Sequence, residues 1–240
     1  MQFPQTLVIN LADRPEKWKQ TQDTFQQFPV ELERLDAVRK SPGWKGCAAS
    51  HFKAIELAKQ RGYNWVLILE DDAQLSETGL AQFNELLPIL YERRSEWDIF
   101  LGGATFVDNV RLVHSKPPIY QAGGFTTHFC LIHNGSYDKI LNQYTDGPID
   151  VYYKEKMRLW MTNPHISTQR PGVSDIEQGE SNYNKLFDDS CWKLWFMGLL
   201  QTYMYLALAF IVIIGFVVYL NWKPISLRGF IRRIVQFMRF

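Results

Sequence analysis

Three carboxylates in a row, Glu70-Asp71-Asp72, end the aliphatic run Trp65-Val66-Leu67-Ile68-Leu69. A run this short, with helical patterns on both sides, reads as a central strand buried on both faces. Acids at its C-terminal tip would lie where open α/β sheets bind ligands. Gathering that much negative charge is costly unless a cation offsets it. A hard divalent ion, magnesium or manganese, suits clustered carboxylate oxygens and also grips phosphate. The chemistry expected here is metal-assisted and directed at a phosphorylated or nucleotide-linked substrate. A solvated acidic turn is the plainer alternative.

The elements that must position these acids follow from the pattern. Thr6 to Leu11 reads as a first strand, and Asp13 with Pro15 as the start of a helix reaching about Gln27. Val30 to Val38 alternates as a second strand. Gly46 to Arg61 reads as a helix stopped by Gly62. Thr78 to Arg94 is helical with Pro88 as a possible break, Asp98 to Leu101 and Phe125 to Ile132 are strands, and Ser136 to Tyr144 is a helix. From Pro148 to Gly179 the chain reads as loop-rich. Strands alternating with helices predict a parallel-rich α/β sheet covered on both faces. No glycine-rich dinucleotide fingerprint follows the first strand, and no phosphate loop is present. Phosphates would therefore need the acid-bound metal.

Composition narrows the class. The 240 residues suffice for one full domain and an extra element. The formal net charge of +1 conceals an asymmetry: the five basic residues after residue 222 leave 21 against 25 acids in the rest of the chain. The body is mildly acidic and the tail basic, which is not the balance of a general nucleic-acid binder. Cys47, Cys130 and Cys191 are too few and scattered for a disulfide framework or zinc site, and reduced thiols are expected. The N-terminus shows no secretory leader.

No charged residue occurs from Leu194 to Trp222. Phe196 to Leu220 as a helix would extend roughly 37 Å, more than a hydrocarbon core of about 30 Å. Trp192, Trp195, Tyr219 and Trp222 flank it as interface anchors do. A membrane segment over 194–222 is expected, and a basic amphipathic tail over 223–240 suited to an anionic bilayer. The tail and a leaderless body both favour the cytoplasmic side, which one straight span does not satisfy. A re-entrant path remains open, as does an orientation with the tail outside.

The ordered motifs carry a resemblance. Val8-Ile9-Asn10-Leu11 with Asp13-Arg14 and Trp18, Gly46-Cys47-Ala48-Ala49-Ser50-His51, Leu69-Glu70-Asp71-Asp72, Thr127-His128 with Cys130-Leu131-Ile132, Pro148-Ile149-Asp150 and Ser174-Asp175-Ile176 together resemble glycosyltransferase family 25. That family includes lipooligosaccharide galactosyltransferases of lipopolysaccharide biosynthesis and the collagen galactosyltransferase domain. The resemblance covers roughly residues 5 to 176. It implies a GT-A type, Rossmann-like fold over residues 1–190, a UDP-sugar donor and a divalent metal, Mn2+ or Mg2+.

On that resemblance Glu70 and Asp72 stand in the places of an acid-x-acid metal motif, with Asp72 the direct ligand, Glu70 supporting, and Asp71 near the donor. Asn10 and Arg14 follow the first strand at the same sheet edge, as candidates for base or ribose and for diphosphate. Ser50 and His51 would touch the donor or hold the acidic loop. Asp150 is the first choice for the base that takes the acceptor proton, and Asp175 the second. His128 and His165 are weaker metal or phosphate candidates, and Trp160 and Tyr152 weaker sugar-stacking ones.

The expected function is an inverting transfer of a sugar, galactose by resemblance, to a lipid-linked or cell-envelope glycan at a membrane. A membrane-anchored glycan- or nucleotide-sugar-binding protein on an inactive transferase fold is the alternative. A metal-dependent phosphohydrolase would explain the acids but not the ordered motifs.

Overall fold

A computed structural model describes residues 3–173, 180–181 and 183–222, with side chains over 3–171 and 191–219. The first compact unit, Met1–Gly198, begins with β1 (Gln5–Asn10), α1 (Pro15–Thr24), β2 (Leu32–Asp36), α2 (Gly43–Gln60), β3 (Trp65–Glu70), β4 (Ala73–Leu75) and α3 (Gly79–Glu92). It continues with β5 (Ile99–Leu101), β6 (Thr105–Ser115), β7 (Pro118–Phe125), β8 (Phe129–His133), α4 (Asn134–Gln143), α5 (Ile149–Lys156), β9 (Leu159–Thr162) and β10 (Ser167–Gln169). The short strands β11 (Gly172–Val173) and β12 (Glu180–Ser181) precede the long helix α6 (Tyr183–Trp222).

The main sheet has eight strands in the order β2-β1-β3-β8-β5-β9-β7-β6. β1 pairs in parallel with β2 and β3, and β5 with β9, whereas β8 and β7 run against their neighbours. Most strands thus share one direction, with two reversed strands inserted: a mixed, mostly parallel sheet flanked by helices, as expected. β3 is buried from Val66 to Leu69. Its side chains alternate between two cores, Val66 and Ile68 with α2, α4 and α5, Leu67 and Leu69 with α3. Burial on both faces is why the strand reads as a continuous aliphatic run.

Several expected boundaries move. α2 begins at Gly43, and Gly46 in its first turn lies so close to the preceding loop that a Cβ there would approach the Val38 carbonyl oxygen to 2.5 Å. α3 runs unbroken through Pro88. Phe83, Leu86, Leu87 and Leu90 bury its inner face, and that burial outweighs a cost of about 3 kcal/mol for a proline inside a helix. α1 starts after Arg14 with Pro15 in its first turn, and no side chain caps it, Asp13 included. Phe125 ends β7 and does not open β8. The stretch from Pro148 onward, read as loop, holds α5, β9 and β10. The β6–β7 hairpin was not foreseen, and it widens the sheet on the side where β9 ends.

A charged knot lies just before β5 and β9. Asp98, only 3% exposed, accepts from the backbone N–H of Arg158 at 2.8 Å, from its guanidinium at 2.9 Å, and from Lys139. Burial alone would push the Asp98 carboxyl up, but these donors hold it down to about 2. A carboxyl lowered on folding stabilises above its unfolded value of roughly 3.9, and loses that contribution as pH falls through the folded value. Asp98→Asn is expected to cost about 2 kcal/mol at pH 7, a deficit that closes between about pH 4 and pH 2. Urea unfolding of both forms across that range checks it, and a deficit independent of pH would contradict it.

The three cysteines are free. The second unit, Leu199–Phe240, is described through the α6 residues up to Trp222. Cys191–Tyr219 is long and apolar enough to cross a membrane, by length and composition. Side chains from Tyr203 to Tyr219 include a long series of exposed aromatic and aliphatic groups. The expected basic tail, 223–240, lies outside the described residues.

Candidate active site

The acids at the end of β3 form part of the floor of a cavity of about 930 Å3 within the first unit. One side comes from the loop joining β2 to α2 and the first turns of α2, the other from Thr105, Phe106 and Phe125 to Thr127. The start of α5 and Gln169-Arg170 complete it. Parallel strands β1 and β3 end at the same edge, so the segment after β1 and the acids after β3 meet there by topology.

Each acid is held differently. Glu70 Oε1 accepts from the Thr127 hydroxyl at 2.6 Å and lies 3.1 Å from His51 Nε2. Burial pushes its carboxyl up, and the His51 and Thr127 contacts more than offset this, so Glu70 remains an anion below its ordinary value. Asp71 accepts from Asn10 Nδ2 at 2.8 Å and lies 3.6 Å from Lys17 Nζ. Burial nevertheless raises it. Asp72 Oδ2 has the Gln169 amide at 3.3 Å, while its Oδ1 is buried with no hydrogen-bond partner among the described residues. Burial, then Glu70, then Asp71 raise Asp72 to about 7. A buried oxygen without a donor, on a carboxyl crowded by two others, fits a cation of the kind carboxylates bind. Glu70, by contrast, is oriented by His51 and Thr127.

The other expected site residues divide into those at the cavity and those behind it. Arg14, Ser50, His51 and Asp150 line it. Asn10 is buried and spends its amide on Asp71 and on the Arg14 carbonyl at 3.1 Å, so it positions an acid and does not face the cavity. The Ser50 hydroxyl donates to the Gly46 carbonyl at 2.7 Å and accepts the Val38 N–H at 2.8 Å, which ties the β2–α2 loop to the helix. His51 is fully buried, and it steadies Glu70. Asp150 occupies the first turn of α5, where its Oδ1 accepts the Val151 N–H at 2.8 Å and the Thr126 N–H also faces it. Burial raises its carboxyl, Glu70 adds to this, and the backbone donors oppose it.

Asp175 lies outside the described residues. His128 and His165 are buried away from the cavity lining, and burial lowers both to about 4, so both are neutral packing groups at pH 7. Trp160, 1% exposed, stacks against Trp97 in the core with Arg93 over its ring. Tyr152 donates its hydroxyl to the Ile140 carbonyl at 2.7 Å. Neither presents a face to a sugar.

Four residues at the site carried little signal in sequence. Thr127 was visible only as part of a motif. Lys17 looked like a surface charge of α1. Gln169 and Arg170 reach the acids because β10 pairs antiparallel with β4, and the Arg170 N–H donates to the Asp72 carbonyl at 2.6 Å. Such a contact across almost 100 positions leaves no local pattern.

Residues 39–101 match the profile of glycosyltransferase family 25, described as LPS biosynthesis proteins. A protein of Haemophilus influenzae, named provisionally as a glycosyltransferase, is 36% identical over 70 residues, covering 29% of this chain and 23% of that protein. The chain thus matches less than a quarter of that relative's length. Among solved structures, a glycosyltransferase involved in glycosylation of the major capsid of PBCV-1 is similar at TM-score 0.42 and 11% identity, over 72% of this chain and 95% of that one. A galactosyltransferase in complex with donor and acceptor sugar analogues is similar at TM-score 0.34 and 9% identity, over 66% and 73%. These two likenesses are too loose to bear on chemistry. The matched segment holds both the Gly46–His51 stretch of α2 and the Glu70–Asp72 tip, and over that segment the chain is similar to glycosyltransferase family 25.

Proposed function

We propose that the protein is an inverting glycosyltransferase that moves galactose from a UDP-sugar to a lipid-linked or cell-envelope glycan at a membrane. The observation that carries this is the buried Oδ1 of Asp72, without a hydrogen-bond partner among the described residues, on a cavity floor where Glu70 is held as an anion. Asp72 and Glu70 would hold a divalent ion, Mn2+ or Mg2+. Such an ion supplies charge neutralisation for the diphosphate that departs.

The chain's own groups account for the remaining steps. Arg14 lies where a diphosphate would reach the end of β1, with Lys17 beside Asp71. His51 and Thr127 keep Glu70 from turning away, and Asn10 does the same for Asp71. Asp150 takes the proton from the acceptor hydroxyl as its oxygen attacks the anomeric carbon. The bond from that carbon to the diphosphate breaks with its electron pair, and the nucleoside diphosphate leaves. Attack from the side opposite the leaving group inverts the anomeric centre. Asp175 is the second choice for the base.

The apolar length of Cys191–Tyr219 and its exposed aromatic and aliphatic side chains support a membrane-associated enzyme, whose catalytic unit this reading assigns to the cytoplasm. A single experiment addresses both parts. The full chain is expected in the membrane fraction, resistant to high salt. There it should turn over one UDP-sugar with Mn2+ and glycosylate an added glycan. Tight binding of UDP-sugars without transfer to any glycan would favour the inactive-fold alternative. Release of the protein by salt would remove the membrane assignment.

A further inference from the structure

Phe106 is 61% exposed, and outside α6 only Tyr91 joins it among the exposed large hydrophobic side chains of the described residues. Its backbone φ is +50°, a left-handed conformation that a bulky side chain rarely adopts. The cause is local: the β6–β7 register shifts between the pairs Thr105↔Phe125 and Asp108↔Gly123, so Phe106 falls in a bulge. Bulges next to binding sites re-aim a side chain. Here the bulge sets the ring at the cavity, with Phe125 edge-on at a centroid distance of 6.4 Å. Nothing in the packing of the core requires this ring to be there, because it is largely in water.

A second strained residue links this ring to the proposed base. Thr126, directly after Phe125, has φ +80°, and its N–H faces the Asp150 carboxylate. Thr105, directly before Phe106, is paired with Phe125. The open end of one hairpin thus carries both an aromatic ring exposed at the cavity and the amide that faces Asp150. Strain of this kind persists only where surrounding structure imposes it, and it concentrates at ligand sites.

We propose that Phe106 is the acceptor platform: the apolar C–H face of a hexopyranoside lies on its ring and presents a hydroxyl to Asp150. The inference rests on the transferase reading for the role of Asp150. The sugar-binding part stands apart from it, since a ring can hold a glycoside whether or not transfer follows. The ligand class is a neutral hexopyranoside with a continuous C–H face, such as a β-galactoside or β-glucoside.

Two readouts test it. The probes are methyl β-galactoside and methyl β-glucoside in the presence of UDP, with binding followed by saturation-transfer NMR on the full chain in detergent. Phe106→Gly is expected to weaken the better glycoside about 10-fold, the scale of one aromatic contact, and Phe106→Trp to preserve it. Phe106→Gly should also melt at the same or a higher temperature, because glycine adopts φ +50° without strain. Where transfer is measurable, the same variant should raise acceptor KM by a similar factor, and Phe106→Trp should restore it. Unaltered glycoside affinity with a lowered melting temperature would show a packing residue and overturn the proposal, as would a wild-type chain that binds neither glycoside. Loss of UDP-sugar turnover in the wild type would instead overturn the transferase reading and leave the glycoside measurement to decide on the platform.

Discussion

Asp72→Asn is expected to lower sugar transfer by at least about 100-fold while leaving the fold intact. The two halves of that expectation come from one environment. Asp72 is crowded by Glu70 and Asp71 and has one oxygen without a donor among the described residues, so the folded chain bears its charge at a cost. Asparagine has the same shape, removes the charge and keeps an oxygen for the Gln169 amide. The metal-free variant should therefore melt no lower than the wild type. Transfer falls because a clamp on developing charge is worth on the order of 100- to 1,000-fold. The residual activity should also respond less to Mn2+. Kinetics across a manganese titration, with melting curves in EDTA, check both halves. Turnover unchanged in Asp72→Asn would remove the metal assignment, and a large drop in melting temperature would mean that Asp72 is structural.

How far this site was readable in sequence depended on the reach of each contact. The β3 run was legible because a strand buried on both faces must be aliphatic throughout, and its polar end stands out. The helix from Gly46 to His51 was legible from its small residues, although the reason for Gly46, a backbone approach from Val38, was not. What stayed hidden was hidden by antiparallel pairing between distant segments. Gln169 meets Asp72 through β10 and β4, and Thr127 meets Glu70 through β8 beside β3. The β6–β7 hairpin was missed because its bulges break the alternation that marks a strand. Its exposed phenylalanine then looked like any other aromatic in an aromatic-rich chain. Asn10 illustrates a subtler difficulty. It ends β1 at the sheet edge where the acids lie, but its amide goes to Asp71, which no spacing could reveal.

Asp150→Asn separates proton transfer from metal binding, and it carries the other large effect. Asp150 lies in the first turn of α5, where an acid is ordinarily a helix-start residue worth about 0.3–1 kcal/mol. If that were its whole role, asparagine would restore most of it, since the amide oxygen still accepts the Val151 N–H. A general base is different, because the amide has no affinity for the acceptor proton, and such groups contribute roughly 100- to 10,000-fold. The expected result is thus a transfer rate down by that factor, with donor KM and manganese dependence unchanged and a melting temperature close to wild type. Burial raises the Asp150 carboxyl above its ordinary value, with Glu70 adding to this, which brings it nearer to neutral pH. A base acts in its ionised form, so wild-type transfer should fall as pH drops through that raised value, and the variant should lose this limb of the profile. A variant that transfers normally would return Asp150 to the helix start and pass the role of base to Asp175. One that also loses its manganese response would place Asp150 with the acids of β3. The contrast with Asp72→Asn makes each assignment independent: one variant changes the metal response, and the other changes the pH profile.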